Sequence, residues 1–78
     1  MALQYLNNVK VGHKCTVVKL TNAPKIRARL MSLGIIIGAE IEVIKLAPLG
    51  DPIEIRIKDF YLSLRKNEAA QILVKYKK

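Results

Sequence analysis

Hydrophobic and polar residues alternate along much of this chain with the period of two that is typical of β-strands. The strictest alternation runs from Ile53 to Lys58, where three isoleucines share one face and charged side chains share the other. Weaker alternation and β-branched residues predict four more strands. These strands run from His13 to Leu20, from about Glu40 to Leu46, from Tyr61 to Arg65 and from Gln71 to Tyr76. The pattern therefore predicts about five short strands separated by turns.

One segment follows a helical period instead. Ile26, Leu30 and Leu33 have the i, i+4, i+7 spacing that forms a single stripe on an α-helix. Asn22 is suited to capping the start of this helix, and Gly34 is suited to ending it. We expect one α-helix after the first strand, with its apolar stripe packed on the strands.

The remaining segments are too short for further layers of structure. Leu3 and Leu6 at helical spacing predict a single turn laid across the core, and the segment from Lys66 to Ala70 suits one helical or 3₁₀ turn. This much helix is too little for a layered α/β sheet. The expected fold class is mostly β, a small and partly open SH3-like barrel with one α-helix after the first strand.

The composition supports one small folded domain spanning residues 1–78. Hydrophobic residues make up 51% of the 78 residues, enough for an aliphatic core. The one cysteine allows no disulfide within the chain, which favours a reducing, cytoplasmic location. The first residues lack the pattern of a secretory signal, and the most apolar segment, from Leu30 to Ala39, is shorter than the ~20 residues of a membrane span.

The net charge of +8 predicts attraction to a negatively charged partner. Nucleic acid, an anionic membrane surface and an acidic protein are the three alternatives. The basic tail, Lys75 with Lys77 and Lys78, inflates the total charge without defining a site. Nucleic-acid binding by small barrels uses exposed aromatics for stacking, and Phe60 and the three tyrosines are not spaced as such a platform. No stable nucleic-acid complex is expected.

The sequence contains few residues suited to catalysis. It has one histidine, one cysteine and no phosphate-binding glycine-rich loop, so we expect neither an enzyme nor a bound cofactor. His13 and Cys15 are two residues apart and would share one face of a strand, which makes them weak candidates for a transition-metal site. A closed tetrahedral site needs four ligands, so the favoured interpretation is that Cys15 belongs to the core.

The helix offers a more informative candidate site. Its outward side carries apolar residues flanked by basic ones, a pattern that suits docking to a partner protein. The candidate partner-binding residues are Pro24, Lys25, Arg27, Ala28, Arg29 and Met31. The alternative is that Ile35, Ile36 and Ile37 cover Met31. The same outward side or an open strand edge would also allow pairing with a second copy of the chain.

An ordered series of short motifs is distributed along nearly the whole chain. It comprises Leu3, Leu6, Gly12, the helix segment 26–34, Gly38, the turn 47–52 and the run 62–70. The most specific pieces are the turn from Pro48 to Pro52 and the Leu-Arg-Lys-x-Glu-Ala-Ala sequence that starts at Leu64. This series resembles the FeoA-type domain of bacterial ferrous-iron uptake. Ile37 stands where the family pattern usually has proline.

The resemblance implies an SH3-like barrel and a cytoplasmic role beside FeoB, a membrane iron transporter with a GTPase domain. We therefore expect a non-catalytic accessory protein that binds the cytoplasmic part of the FeoB-type transporter and modulates its activity or assembly. The same domain type also occurs fused to metal-dependent repressors. The alternative is accordingly a regulator-like module that senses a transition metal or binds nucleic acid.

Overall fold

The structure is a computed structural model and describes residues 2–76. Its elements are β1 (Ala2–Tyr5), a 3₁₀ turn (Leu6–Asn8), β2 (Lys14–Leu20), α1 (Pro24–Ser32), β3 (Glu40–Leu46), β4 (Ile53–Ile57), β5 (Phe60–Leu64), α2 (Lys66–Ala69) and β6 (Ile72–Tyr76). Lys77 and Lys78 of the basic tail lie outside the described residues. Across residues 2–76, no helix is long and apolar enough to cross a membrane.

All six strands belong to one antiparallel sheet with the order β1-β6-β2-β3-β4-β5. The last strand, β6, lies between β1 and β2, so the first and last strands are neighbours in the sheet. None of the pairings among the described strands joins β1 to β5. The prediction of a mostly β, partly open architecture is confirmed.

The prediction of about five strands missed one at the beginning of the chain, and the predicted turn is confined to Leu6–Asn8, where Leu6 is fully buried. The first residues form β1, in which Ala2 pairs with Tyr76 and Tyr5 pairs with Leu73. Burial alternates along β1, but hydrophobicity does not follow it, because Leu3 and Tyr5 are 64% and 49% exposed while Gln4 is half-buried. The partner strand therefore determines this strand more than its own pattern does. As a result, α1 follows the second strand rather than the first.

Aliphatic side chains from the strands and the helices fill the interior of the protein. Ile53, Ile55 and Ile57 of β4 are all buried, as their alternation predicts, and Ile41 and Val43 of β3 lie opposite them in the register. No charged or polar side chain is buried among the described residues. The core is therefore held by packing and hydrophobic burial rather than by internal polar groups.

The predicted helix is confirmed, with one correction at its start. Leu30 is fully buried, but Asn22 does not cap α1, and instead the Thr21 hydroxyl accepts a hydrogen bond from the Ala23 N–H at 3.2 Å. At the other end, Gly34 has a φ of +93°, and its N–H donates to the carbonyl of Met31. This left-handed glycine ends the helix and directs the next residue into the core.

Candidate docking surface

The outward side of α1 is open to solvent. Met31 is 45% exposed, and most of the basic and small side chains around it are exposed as well. We call this set the α1 surface; it consists of Pro24, Lys25, Arg27, Ala28, Arg29 and Met31, of which Arg27 is half-buried. The helix contributes three basic side chains and no acidic one. The α1 surface therefore combines a flexible apolar centre with a positive border.

The segment after α1 does not enclose Met31. Ile35 is fully buried, but Ile36 and Ile37 are 45% and 59% exposed. The Ile36 carbonyl accepts from the Ala39 N–H at 3.0 Å, and Gly38, with a φ of +93°, completes this turn. Only one of the three isoleucines thus points into the core, and the other two add exposed apolar area beyond the end of the helix.

Arg29 of the α1 surface has a partner that the sequence does not reveal. Its Nε donates to the Glu68 carboxylate of α2 at 2.6 Å, and the same carboxylate accepts from the Arg65 N–H at 3.0 Å. The Arg29 side chain remains 57% exposed. The pair therefore ties α1 to α2 at the surface and neutralises one of the three positive charges on the helix.

This ion pair predicts a pH-dependent contribution to stability. The hydrogen bonds from Arg29 and from the Arg65 N–H lower the pKa of Glu68 from its usual value of 4.5. Because the pKa of Glu68 is lower in the folded state than in the unfolded state, the ion pair stabilises the fold fully above about pH 4.5. This stabilisation is lost as the pH falls through the folded-state pKa of Glu68. We expect Glu68→Gln to lower the melting temperature by a few degrees at neutral pH and by less in acid, measured by circular dichroism.

The Arg29→Gln variant provides the control for that measurement. In its background, Glu68→Gln should change the melting temperature less, because the attraction has already been removed. An equal effect of Glu68→Gln at neutral and acidic pH would contradict the assigned ion pair.

The outer face of the sheet carries charges of both signs. Lys14 pairs in register with Glu42, which pairs with Arg56, so the sign alternates across β2, β3 and β4. A hollow of about 400 Å³ lies here, and Glu40 and Lys58 are also among its lining residues. Because the opposite charges offset one another, this face attracts an anionic partner less than the α1 surface does.

The two weak metal candidates do not form a site with other ligands. Cys15 is buried, and its thiol donates to the Ile41 carbonyl at 3.5 Å. His13 precedes β2 and lies half-buried, with its ring centre 6.3 Å from that of Tyr76. Residues 2–76 contain no group of three or more His, Cys, Asp or Glu side chains that could hold a metal ion. The geometry agrees with the interpretation of Cys15 as a core residue.

Burial predicts that the Cys15 thiol is unreactive in the folded protein. The side chain is 3% exposed, and desolvation raises the pKa of this thiol to about 11. At pH 8 we expect a disulfide reagent to modify it at least ~100-fold more slowly than free cysteine, because little thiolate forms and access is blocked. Urea should restore the fast reaction. Rapid stoichiometric modification of the native protein would contradict this assignment.

Sequence reasoning missed an exposed aromatic residue beside Gly34, just after α1. Phe60, the first residue of β5, is 44% exposed, and its ring lies beside Gly34, where an added Cβ atom would be 3.7 Å from the Phe60 Cζ. A Cβ atom at this distance would be in ordinary van der Waals contact, so position 34 favours glycine because of its positive φ rather than for lack of space. The residues are distant in sequence, and only the fold brings them together.

The family profile described as the FeoA domain matches residues 4–76 of this chain. The chain belongs to the FeoA domain family. The match includes β2 to β6, both helices and the second half of β1, so it extends beyond the short motifs to nearly the whole fold. The predicted family assignment is therefore confirmed.

Individual relatives agree with this family. An Fe(2+) transport protein A/Fe(2+) transporter FeoB fusion protein of Porphyromonas gingivalis is 35% identical over 69 residues, which are 88% of this FeoA domain and 8% of the fusion protein. The FeoA-like protein of Clostridium acetobutylicum is 39% identical, with a TM-score of 0.90 over 97% of this chain and 88% of that protein.

A third relative confirms the fold class. Stenotrophomonas maltophilia FeoA, solved in complex with zinc and described as a prokaryotic SH3 domain protein, has a TM-score of 0.80. The alignment covers 92% of this FeoA domain and 89% of that protein at 22% identity. At this identity the likeness concerns the fold alone. The SH3-like barrel predicted from the sequence is confirmed, with six strands instead of five.

Proposed function

We propose that this FeoA domain is a non-catalytic accessory protein of ferrous-iron uptake, acting in the cytoplasm. It binds the cytoplasmic part of a FeoB-type transporter through the α1 surface and modulates the activity or assembly of that transporter. The observation that carries the proposal is the relative in which the matching 69 residues belong to a chain that also contains the transporter. Fusion of two proteins in one chain favours contact between them, because the linker raises their effective concentration.

The geometry of the α1 surface supports the same proposal. Partly exposed Met31 supplies apolar area that would be buried on docking, and Lys25 and Arg27 would steer an acidic partner toward it. The two salt bridges among the described residues use Arg29 and Lys45, which leaves the other two basic side chains of α1 to a partner. Binding then requires no rearrangement of the barrel.

A binding titration with the purified cytoplasmic domain of the transporter tests the proposal. Isothermal calorimetry with and without guanine nucleotide would measure the affinity and its dependence on the GTPase state. Saturable one-to-one binding is expected. If the domain does not bind under either condition, while the protein shifts single- or double-stranded oligonucleotides at low salt, the regulator-like alternative would replace the proposal.

A further inference from the structure

The turn between β3 and β4 holds a leucine almost entirely in water. Leu49 is 95% exposed, and the next most exposed of the large apolar side chains in residues 2–76 is Leu3 at 64%. Single exposed leucines are common on protein surfaces and need no functional explanation by themselves. The significance of Leu49 depends on how its loop, residues 47–52, is constructed.

Hydrogen bonds hold the 47–52 loop at both ends. The Gly50 N–H donates to the Ala47 carbonyl at 2.7 Å, and the Ala47 N–H donates to the Pro52 carbonyl at 3.0 Å. Gly50 has a φ of +83°, a conformation that favours glycine. Pro48 restricts the backbone immediately before Leu49. The loop therefore holds the backbone at Leu49 in place, so little backbone entropy would be lost on binding.

A third contact joins the loop to α2. The Asp51 carboxylate accepts a hydrogen bond from the Lys66 N–H at 2.9 Å. This contact brings the loop to the start of α2, where the side chains of Arg65 and Lys66 are exposed, and Asp51 itself stays exposed. The surroundings of the exposed leucine therefore carry two positive charges and one negative charge, and remain net positive. A complementary surface would offer an apolar pocket with carboxylates at its edge.

A protein pocket fits these features better than a lipid surface. Stable attachment to a membrane requires more buried apolar area than one side chain supplies, and usually a second anchoring signal. Apart from Leu49, the loop contains alanine, prolines, glycine and aspartate, and no aromatic residue. The dominant contacts of protein interfaces are instead a few side chains that fill well-packed, fully desolvated pockets.

We propose that the 47–52 loop is a second docking element, in which Leu49 inserts into an apolar, acid-bordered pocket on the cytoplasmic domain of the FeoB-type transporter. This inference rests on the proposed function and adds a contact that the α1 surface does not contain. The bond between Asp51 and Lys66 holds this loop against the start of α2.

The test measures the affinity of the soluble cytoplasmic domain for the wild-type protein and for variants by calorimetry. Leu49→Asp should weaken binding by at least about 30-fold, because it places a carboxylate in the pocket. Leu49→Met keeps the apolar side chain and should bind within about threefold of wild type. Leu3→Asp, the same change at an exposed leucine of β1, is the matched control and should also bind within about threefold.

A fluorescent label supplies a second measurement. Leu49→Cys introduces an exposed thiol, whereas the native Cys15 is 3% exposed, so an environment-sensitive maleimide dye attaches selectively at position 49. The transporter domain should shift the dye emission to the blue as the label enters an apolar pocket. An unchanged spectrum at saturation would contradict insertion.

The outcomes separate this inference from the proposed function. If wild type and Leu49→Asp bind equally, the loop is not a docking element, while the proposed function stands. If wild type does not bind, both are overturned. If Leu49→Asp binds the domain normally but loses binding to vesicles of phosphatidylglycerol and phosphatidylethanolamine, the loop contacts lipid, and the inference of a protein pocket is wrong.

Discussion

Met31→Glu is expected to weaken binding of the transporter's cytoplasmic domain by at least ~30-fold, equivalent to about 2 kcal/mol or more. Met31 is 45% exposed at the centre of the α1 surface, so glutamate can be accommodated in the free protein. In the complex, the substitution would bury a charge against apolar groups. Calorimetry would measure the loss, and circular dichroism would show that the melting temperature changes by only a few degrees.

Val11→Glu is the matched control for this prediction. Val11 is 48% exposed, close to the exposure of Met31, and lies before β2, outside the α1 surface. We expect this variant to bind like wild type. Equal losses of affinity in the two variants would indicate a general effect of the added charge. A Met31→Glu variant that binds normally would show that the α1 surface is not part of the interface.

Leu30→Ala, one residue earlier in the same helix, is expected to destabilise the fold by about 2–5 kcal/mol. Leu30 is fully buried, and the Ile35 N–H donates to its carbonyl at 3.0 Å where the chain leaves the helix. Truncation would leave a cavity between α1 and the barrel. Domains of this size are stable by only a few to ~12 kcal/mol, so a substantial fraction of the stability would be lost.

Urea denaturation followed by circular dichroism measures that loss directly. Met31→Ala is the control, because it truncates a large apolar side chain of the same helix that is 45% exposed, and it should cost less than about 1 kcal/mol. A Leu30→Ala variant as stable as Met31→Ala would show that α1 does not pack on the core as described.

The sequence predicts best those elements whose pattern is local. The isoleucines of β4 alternate strictly, and their burial follows from that alternation alone. The helical stripe that contains Leu30 and the left-handed Gly34 likewise depend on residues close in sequence. In contrast, β1 has an ambiguous pattern and acquires its structure by pairing with β6 at the other end of the chain. Pattern analysis of the first residues alone therefore predicts a turn.

In the candidate site, too, the features that depend on local sequence are predictable, and those that depend on contacts distant in sequence are not. The two sides of α1 are predictable from helical geometry, but the sequence leaves open whether residues 35–37 cover Met31, and the structure shows Met31 45% exposed. The bond between Arg29 and Glu68 joins residues 39 positions apart and depends on how α2 is placed. The exposure of Leu49 is also not predictable from hydrophobicity, which would favour burial. It arises because the hydrogen bonds of the 47–52 loop direct the side chain outward.

The most direct test of the central claim is a nuclear magnetic resonance titration. Isotopically labelled protein would be observed while the unlabelled cytoplasmic domain of the FeoB-type transporter is added. We predict that the amide shifts cluster in α1 and the 47–52 loop and leave the outer face of β2, β3 and β4 unchanged. Shifts confined to that outer face, or no shifts at saturating concentrations of the domain, would contradict the account.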